Sequence, residues 1–369
     1  MTKDIFVTKP FLPPLADFVP YLQQIWDRGI LTNGGPFHVQ LERELALYLG
    51  VPFISLFNNG TIALVTALQA LAGQGEVITT PFSYVATSHA ILWNRQTPVF
   101  ADIEADSLNL DPDKVEAAIT PRTTAILPVH CYGNPARVKQ FADIAKRHNL
   151  VLIYDASHAF GVNDETGSVL NHGDLSTLSL HATKVFNTFE GGAIIAHTAA
   201  MKDQIDKLKN FGHDGEISVV STGINGKMSE LNCAVGLLQL QHVDDLIRRR
   251  GEVTRAYRAG IDAIAGLDYL DPALGGAKPN YSYFPILVRP DYPLSRDGLY
   301  HHMKAHGVHP RRYFYPLISA FDMYRDLPSA AVANLPVATA MADQVLCLPI
   351  YPDLDHASVL RILDLLRPT

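Results

Sequence analysis

The segment Ser179-Leu180-His181-Ala182-Thr183-Lys184 sets one lysine among small and apolar neighbours, with Glu190-Gly191-Gly192 shortly after it. Desolvation disfavours the ammonium form, so a lysine there holds more free amine, the nucleophile of Schiff-base chemistry. Three other constellations bear on it. Asn58-Asn59-Gly60-Thr61 follows a strand-like run and opens a helix. Backbone N–H groups at a helix start bind phosphate, and glycine lets the anion approach; plain capping by Asn59 explains the same residues. Tyr154-Asp155-Ala156-Ser157-His158 ends an apolar strand, where ligand sites of parallel sheets collect. Asp155 suits either a protonated ring nitrogen or a helix cap, and no third ligand at metal-site spacing joins Asp155 and His158. Gly223 to Asn232 is a loop before a long helix, with Ser229 as a ready cap. A phosphate cradle, an acid for a pyridinium nitrogen and a Schiff-base lysine are together what pyridoxal 5′-phosphate requires.

The elements that must position these residues alternate. Strands are predicted at 53–57, 76–79, 97–101, 125–129 and 150–154, with helices at 61–71, 84–93 and 135–148 between them. That alternation signals an α/β fold with a mostly parallel sheet. Residues 229–265 read as one long helix bent near Arg250-Gly251, followed by a strand at 283–288 and a helix at 297–306. The chain divides into residues 1–245, an extended proline-rich arm with the large domain, and 246–369, a small C-terminal domain. Arg248-Arg249-Arg250 reads as a solvated helix face.

Composition narrows the function. The chain has 369 residues, 47% hydrophobic and 18% charged, which is enough for a sizeable core. Three scattered cysteines give neither a disulfide framework nor a zinc site, and fit a reducing cytoplasm. A net charge of −7 argues against nucleic-acid binding. No apolar run is long enough for a membrane span, and the start at Met1 lacks a signal-peptide core.

The motifs Gly35-Pro36, Asn59 to Leu64, Pro81 to Thr87, Tyr154-Asp155-Ala156, Ser179 to Lys184 and Gly223 to Glu230 resemble, in order, those of the DegT/DnrJ/StrS sugar aminotransferases. The resemblance implies the aspartate-aminotransferase fold (fold type I), pyridoxal phosphate as cofactor, L-glutamate as amino donor and a nucleotide-linked keto sugar as acceptor. It makes Lys184 the Schiff-base lysine and proton carrier, and Asp155 the partner of the pyridinium. Gly60, Thr61 and the Ser179 hydroxyl would hold the phosphate, and Tyr84 would stack on the ring. Asn225 would reach the phosphate of a neighbouring subunit, which implies a homodimer with shared sites. His158 stands where many members carry glutamine, and a charge that varies with pH is expected of it. Gly226-Lys227 also departs from the usual pattern. The run His181 to Thr188 and the opening Lys9 to Pro14 are similar to members that make dTDP-linked 4-amino-4,6-dideoxyglucose; a 3-keto or UDP-linked acceptor stays open. Arg311, Arg312 and Tyr313 resemble a substrate-side segment, or form a surface strand with snorkelling arginines. Other fold-type-I chemistry and a silent regulator are rival readings; sugar dehydratases of the family replace this lysine by histidine.

Overall fold

A computed structural model describes residues 4–71 and 73–367; the chain start at Met1 lies outside them. Seven strands build the main sheet: β1 (Phe53–Phe57), β2 (Glu76–Thr79), β3 (Thr97–Phe100), β4 (Thr123–Leu127), β5 (Val151–Asp155), β6 (Leu175–Ser179) and β7 (Gly192–Ala196). Their order is β1-β7-β6-β5-β4-β2-β3, and β7 alone runs antiparallel to its neighbours. The strands are buried almost throughout because both faces are covered, and β7, Gly-Ala-Ile-Ile-Ala, carries no polar side chain. Ile54 and Leu56 of β1 point into a core shared with helix Pro36–Leu49, while Phe57 points into the opposite core beside helix Gly60–Leu71.

The smaller C-terminal layer has three antiparallel strands, Leu267–Tyr269, Phe284–Val288 and Val345–Leu348, backed by helices Val243–Ile261, Arg296–Ala305 and His356–Leu366. The first strand of the chain, Ile5–Phe6, pairs with Val308–His309, and Ile5 packs in that same core.

Two expectations change. The predicted long helix is two, Glu230–Leu240 and Val243–Ile261, and the break falls at Gln241-His242 instead of Arg250-Gly251. Gly251 lies mid-helix because Tyr281 packs against it, 2.9 Å from where a Cβ would stand. Arg250 is buried, not solvated. Its guanidinium donates to the carbonyls of Tyr281, Ser282 and Ile350, and burial lowers its pKa only to about 10, so it stays charged. Arg248 and Arg249 do face solvent, paired with Asp245.

Candidate active site

The C-terminal ends of β1, β2, β5 and β6 and the N-terminal end of β7 open on one side of the sheet, the side on which parallel sheets collect their ligands. A cavity of about 770 Å³ lies there. Its lining brings together Gly60, Thr61, Tyr84, Asp155, His158, Ser179, Lys184 and Tyr313.

Lys184 sits in the loop joining β6 to β7. The loop is closed at its base by Leu180 N–H to Gly191 O (2.8 Å) and Thr188 N–H to Leu180 O (2.9 Å). Asn232, from the following helix, donates its side-chain amide to the carbonyls of Thr188 and Glu190. Phe186 stacks face to face on Phe160, 4.4 Å between centroids. A loop held this way presents the half-buried Lys184 to the cavity. Burial pushes its pKa down to about 8, and the nearby Asp155 carboxylate offsets part of that.

Asp155 ends β5 with 4% of its surface exposed. One carboxylate oxygen accepts from the Thr87 hydroxyl at 2.8 Å and the other from the Ser157 N–H at 3.1 Å. Because Thr87 donates to the acid, Ser83, 2.9 Å away, donates to Thr87. This relay aims the carboxylate, and sequence reasoning assigned it no role. Its only signal was Thr87 three residues after Tyr84, at the start of helix Ala86–Trp93.

At the helix Gly60–Leu71 the capping reading of the motif holds. Asn59 caps, accepting from the Ile62 N–H at 2.8 Å. The first N–H groups of a helix have no intrahelical acceptor, which leaves those of Gly60 and Thr61 for a ligand. Gly60 is required by space, since a Cβ would stand 2.9 Å from Ser179 Cβ and 3.1 Å from its Cα. Beside it, the Asn58 side-chain oxygen is buried with no hydrogen-bond partner. An anion-ready helix start and a hydroxyl at Ser179 beside one cavity fit a phosphorylated group.

His158 is 5% exposed and accepts, at Nδ1, from the Tyr132 N–H at 3.2 Å. Burial first, and then Lys184, hold its pKa well below 6.5. Against the expected pH-dependent charge, burial favours the neutral imidazole. Tyr84 is 64% exposed at the cavity wall.

Three expected residues lie off the lining. Asn225 runs in a strand-like bridge with Asn210, its carbonyl accepting from Asn58 Nδ2 at 3.4 Å, while its neighbour Ile224 faces the cavity. Arg311 pairs by backbone with Cys347, its side chain exposed. Arg312 is bound to Asp297 at 2.9 Å and lies over the rings of Tyr300 and Tyr315. Glu190, in the same loop as Lys184, lines the cavity and faces His181 at 3.6 Å.

The model of the DegT/DnrJ/EryC1/StrS aminotransferase family matches residues 15–367. The chain belongs to this family. As a family member it is an aminotransferase, and its relatives cover it end to end. It is 52% identical over 367 residues to a dTDP-4-amino-4,6-dideoxy-D-glucose transaminase of Shigella dysenteriae, covering 100% of this chain and 99% of the relative. An Escherichia coli protein of the same name is 53% identical over 365 residues, covering 99% and 98%. Among solved structures, DesI in the presence of its TDP-sugar product superposes with a TM-score of 0.94 at 35% identity, covering 100% of this chain and 93% of that one. The aminotransferase thus shares both the sequence and the layered α/β architecture of sugar-modifying enzymes.

Proposed function

We propose that the chain transfers an amino group from L-glutamate to C4 of dTDP-4-keto-6-deoxyglucose, giving dTDP-4-amino-4,6-dideoxyglucose. The observation that carries this reading is identity above half, over essentially the whole chain, to two transaminases named for that product. The cofactor is pyridoxal 5′-phosphate, which when bound supplies an electron sink for the carbanion formed at the donor's Cα.

The chain's residues divide the remaining work. Lys184 would supply the amine that carries the cofactor and, once released, would move the proton from the donor's Cα to the cofactor's C4′, as general base and then acid. Asp155, oriented by Thr87, keeps the ring nitrogen protonated by holding a negative charge against it. The amides of Gly60 and Thr61, with Ser179, would hold the phosphate, and Tyr84 would pack against the ring. In this reading Asn225 acts across a homodimer, residues 1–245 carry the cofactor and residues 246–369 form the small domain. The enzyme works in the cytoplasm, and the product goes into O-antigen or lipopolysaccharide. No helix among the described residues is long and apolar enough to cross a membrane.

The test is a mass-spectrometric assay of dTDP- and UDP-linked 3-keto and 4-keto sugars with glutamate. The dTDP-4-keto substrate is expected to lead by at least about tenfold in kcat/KM, worth roughly 1.4 kcal/mol of transition-state binding. A preferred 3-keto or UDP acceptor would replace the proposed substrate.

A further inference from the structure

His158 is held in a way that decides where its proton lies. A backbone N–H can only donate, so the Nδ1 that faces Tyr132 must be an acceptor and the neutral ring carries its proton on Nε2. Tyr132 reaches this position with φ 57° and ψ 10°, in the left-handed region that a bulky residue rarely adopts. Gly133 follows at φ 92°, and a Cβ there would meet Asn280 Oδ1 and the His158 carbonyl, both at 2.9 Å.

The C-terminal layer grips both ends of this hydrogen bond. Asn280 Nδ2 and Ser282 Oγ each donate to the His158 carbonyl at 2.8 Å. The Phe314 ring lies parallel to His158 and to Tyr132, at 6.1 and 5.8 Å, and the Tyr132 hydroxyl donates to the Tyr313 carbonyl. The groups around the imidazole are the Tyr132 and Tyr283 side chains, the Lys184 ammonium and, three residues earlier on its own segment, Asp155. The Asp155 oxygens are taken by Thr87 and Ser157. Protonating Nδ1 would set two N–H groups against each other and bury a charge, which costs a hydrogen bond and the desolvation of an ion.

We infer that Tyr132 is a positioning residue that locks His158 as a neutral imidazole with its proton on Nε2, making it a fixed hydrogen-bond donor to the cavity. Lys184 is then the group that moves protons, and His158 does not compete with it for charge. The use of that donor rests on the proposed transamination; the tautomer itself does not.

The test is two-bond 1H–15N spectroscopy of the 15N-histidine-labelled full-length protein, as purified with pyridoxal phosphate and again after its removal. His158→Gln serves to assign the signal, and His158→Asn does so if the first variant does not fold. The Nε2–H pattern is expected in both forms from about pH 5 to about pH 9. An Nδ1–H tautomer, or an imidazolium midpoint inside that range in either form, overturns the inference. A chain that takes up no pyridoxal phosphate defeats the proposed function, while the cofactor-free spectrum still decides the tautomer.

Discussion

At the residue scale, Lys184 depends on its surroundings more than on its type. Its pKa near 8 predicts that acetylation of the cofactor-free protein at Lys184 rises with pH to half its limit near pH 8, whereas ordinary lysines need about pH 10. Peptide mass spectrometry after brief acetylation over a pH series checks this. Asp155→Asn removes the carboxylate that holds the ammonium form up, so the Lys184 midpoint is expected to fall further. In the loaded enzyme, borohydride is expected to fix the cofactor on Lys184. Lys184→Ala should cut kcat by at least about a thousandfold, since the proposed mechanism makes it both nucleophile and proton carrier. Thr87→Val leaves one Asp155 oxygen without its donor. A buried acceptor that loses its partner costs about 1–3 kcal/mol, so kcat should drop roughly ten- to a hundredfold with KM nearly unchanged.

At the scale of elements, two helices start without a cap of their own and are completed from far along the chain. Helix Pro36–Leu49 follows Gly35, and the Phe37 and His38 N–H groups donate to the Glu230 carboxylate at 2.9 and 2.8 Å. Helix Pro336–Gln344 follows Leu335, and the Val337 and Ala338 N–H groups donate to Asp102 at 2.9 and 2.8 Å. Both carboxylates are buried, and each meets a helix N-terminus, where negative charge is favoured. Glu230→Ala or Asp102→Ala is expected to cost about 2–4 kcal/mol, two charge-assisted hydrogen bonds and a cap, read as a drop in denaturant midpoint. A cap supplied from such a distance leaves no local signal in the sequence. The same limit applies to the break at Gln241-His242, which the pattern put at Gly251.

At the scale of the molecule, a half-buried charge cluster ties helix Pro36–Leu49 to β1 and to helix Ala199–Lys209. Glu42 accepts from Lys202 at 2.9 Å, from Lys209 at 3.3 Å and from the Leu56 N–H at 3.0 Å, beside His38 at 3.1 Å. Burial alone would raise its pKa; the His38 hydrogen bond and the two ammonium groups outweigh that and hold it far below 4.5. A carboxylate depressed in the folded state stabilises at pH above its unfolded value and loses that contribution as pH falls through the folded one. Unfolding free energy is therefore expected to decline below about pH 4.5, and Glu42→Gln should flatten that decline while lowering stability at pH 7. Chemical denaturation between pH 3 and 7 measures both. Assembly belongs to the same scale. Mixing Lys184→Ala and Asn225→Ala subunits should restore part of the activity if Asn225 serves a neighbour's site; confirmed heterodimers without recovery would defeat that part of the proposal.

The sequence by itself determined the alternation of strands and helices, the ends of the strands at which chemistry collects, and the residue types around Lys184, Asp155 and Gly60. These are local: a period of apolar residues, a cap, a glycine before a helix. Only the tertiary structure brought the Tyr132 amide to His158 Nδ1 and buried that ring against Phe314. It also decided that Arg312 is spent on Asp297 and that Arg250 is buried. Hydrogen-bond partners, desolvation and electric field come from groups brought together across the fold, and no spacing along the chain records them.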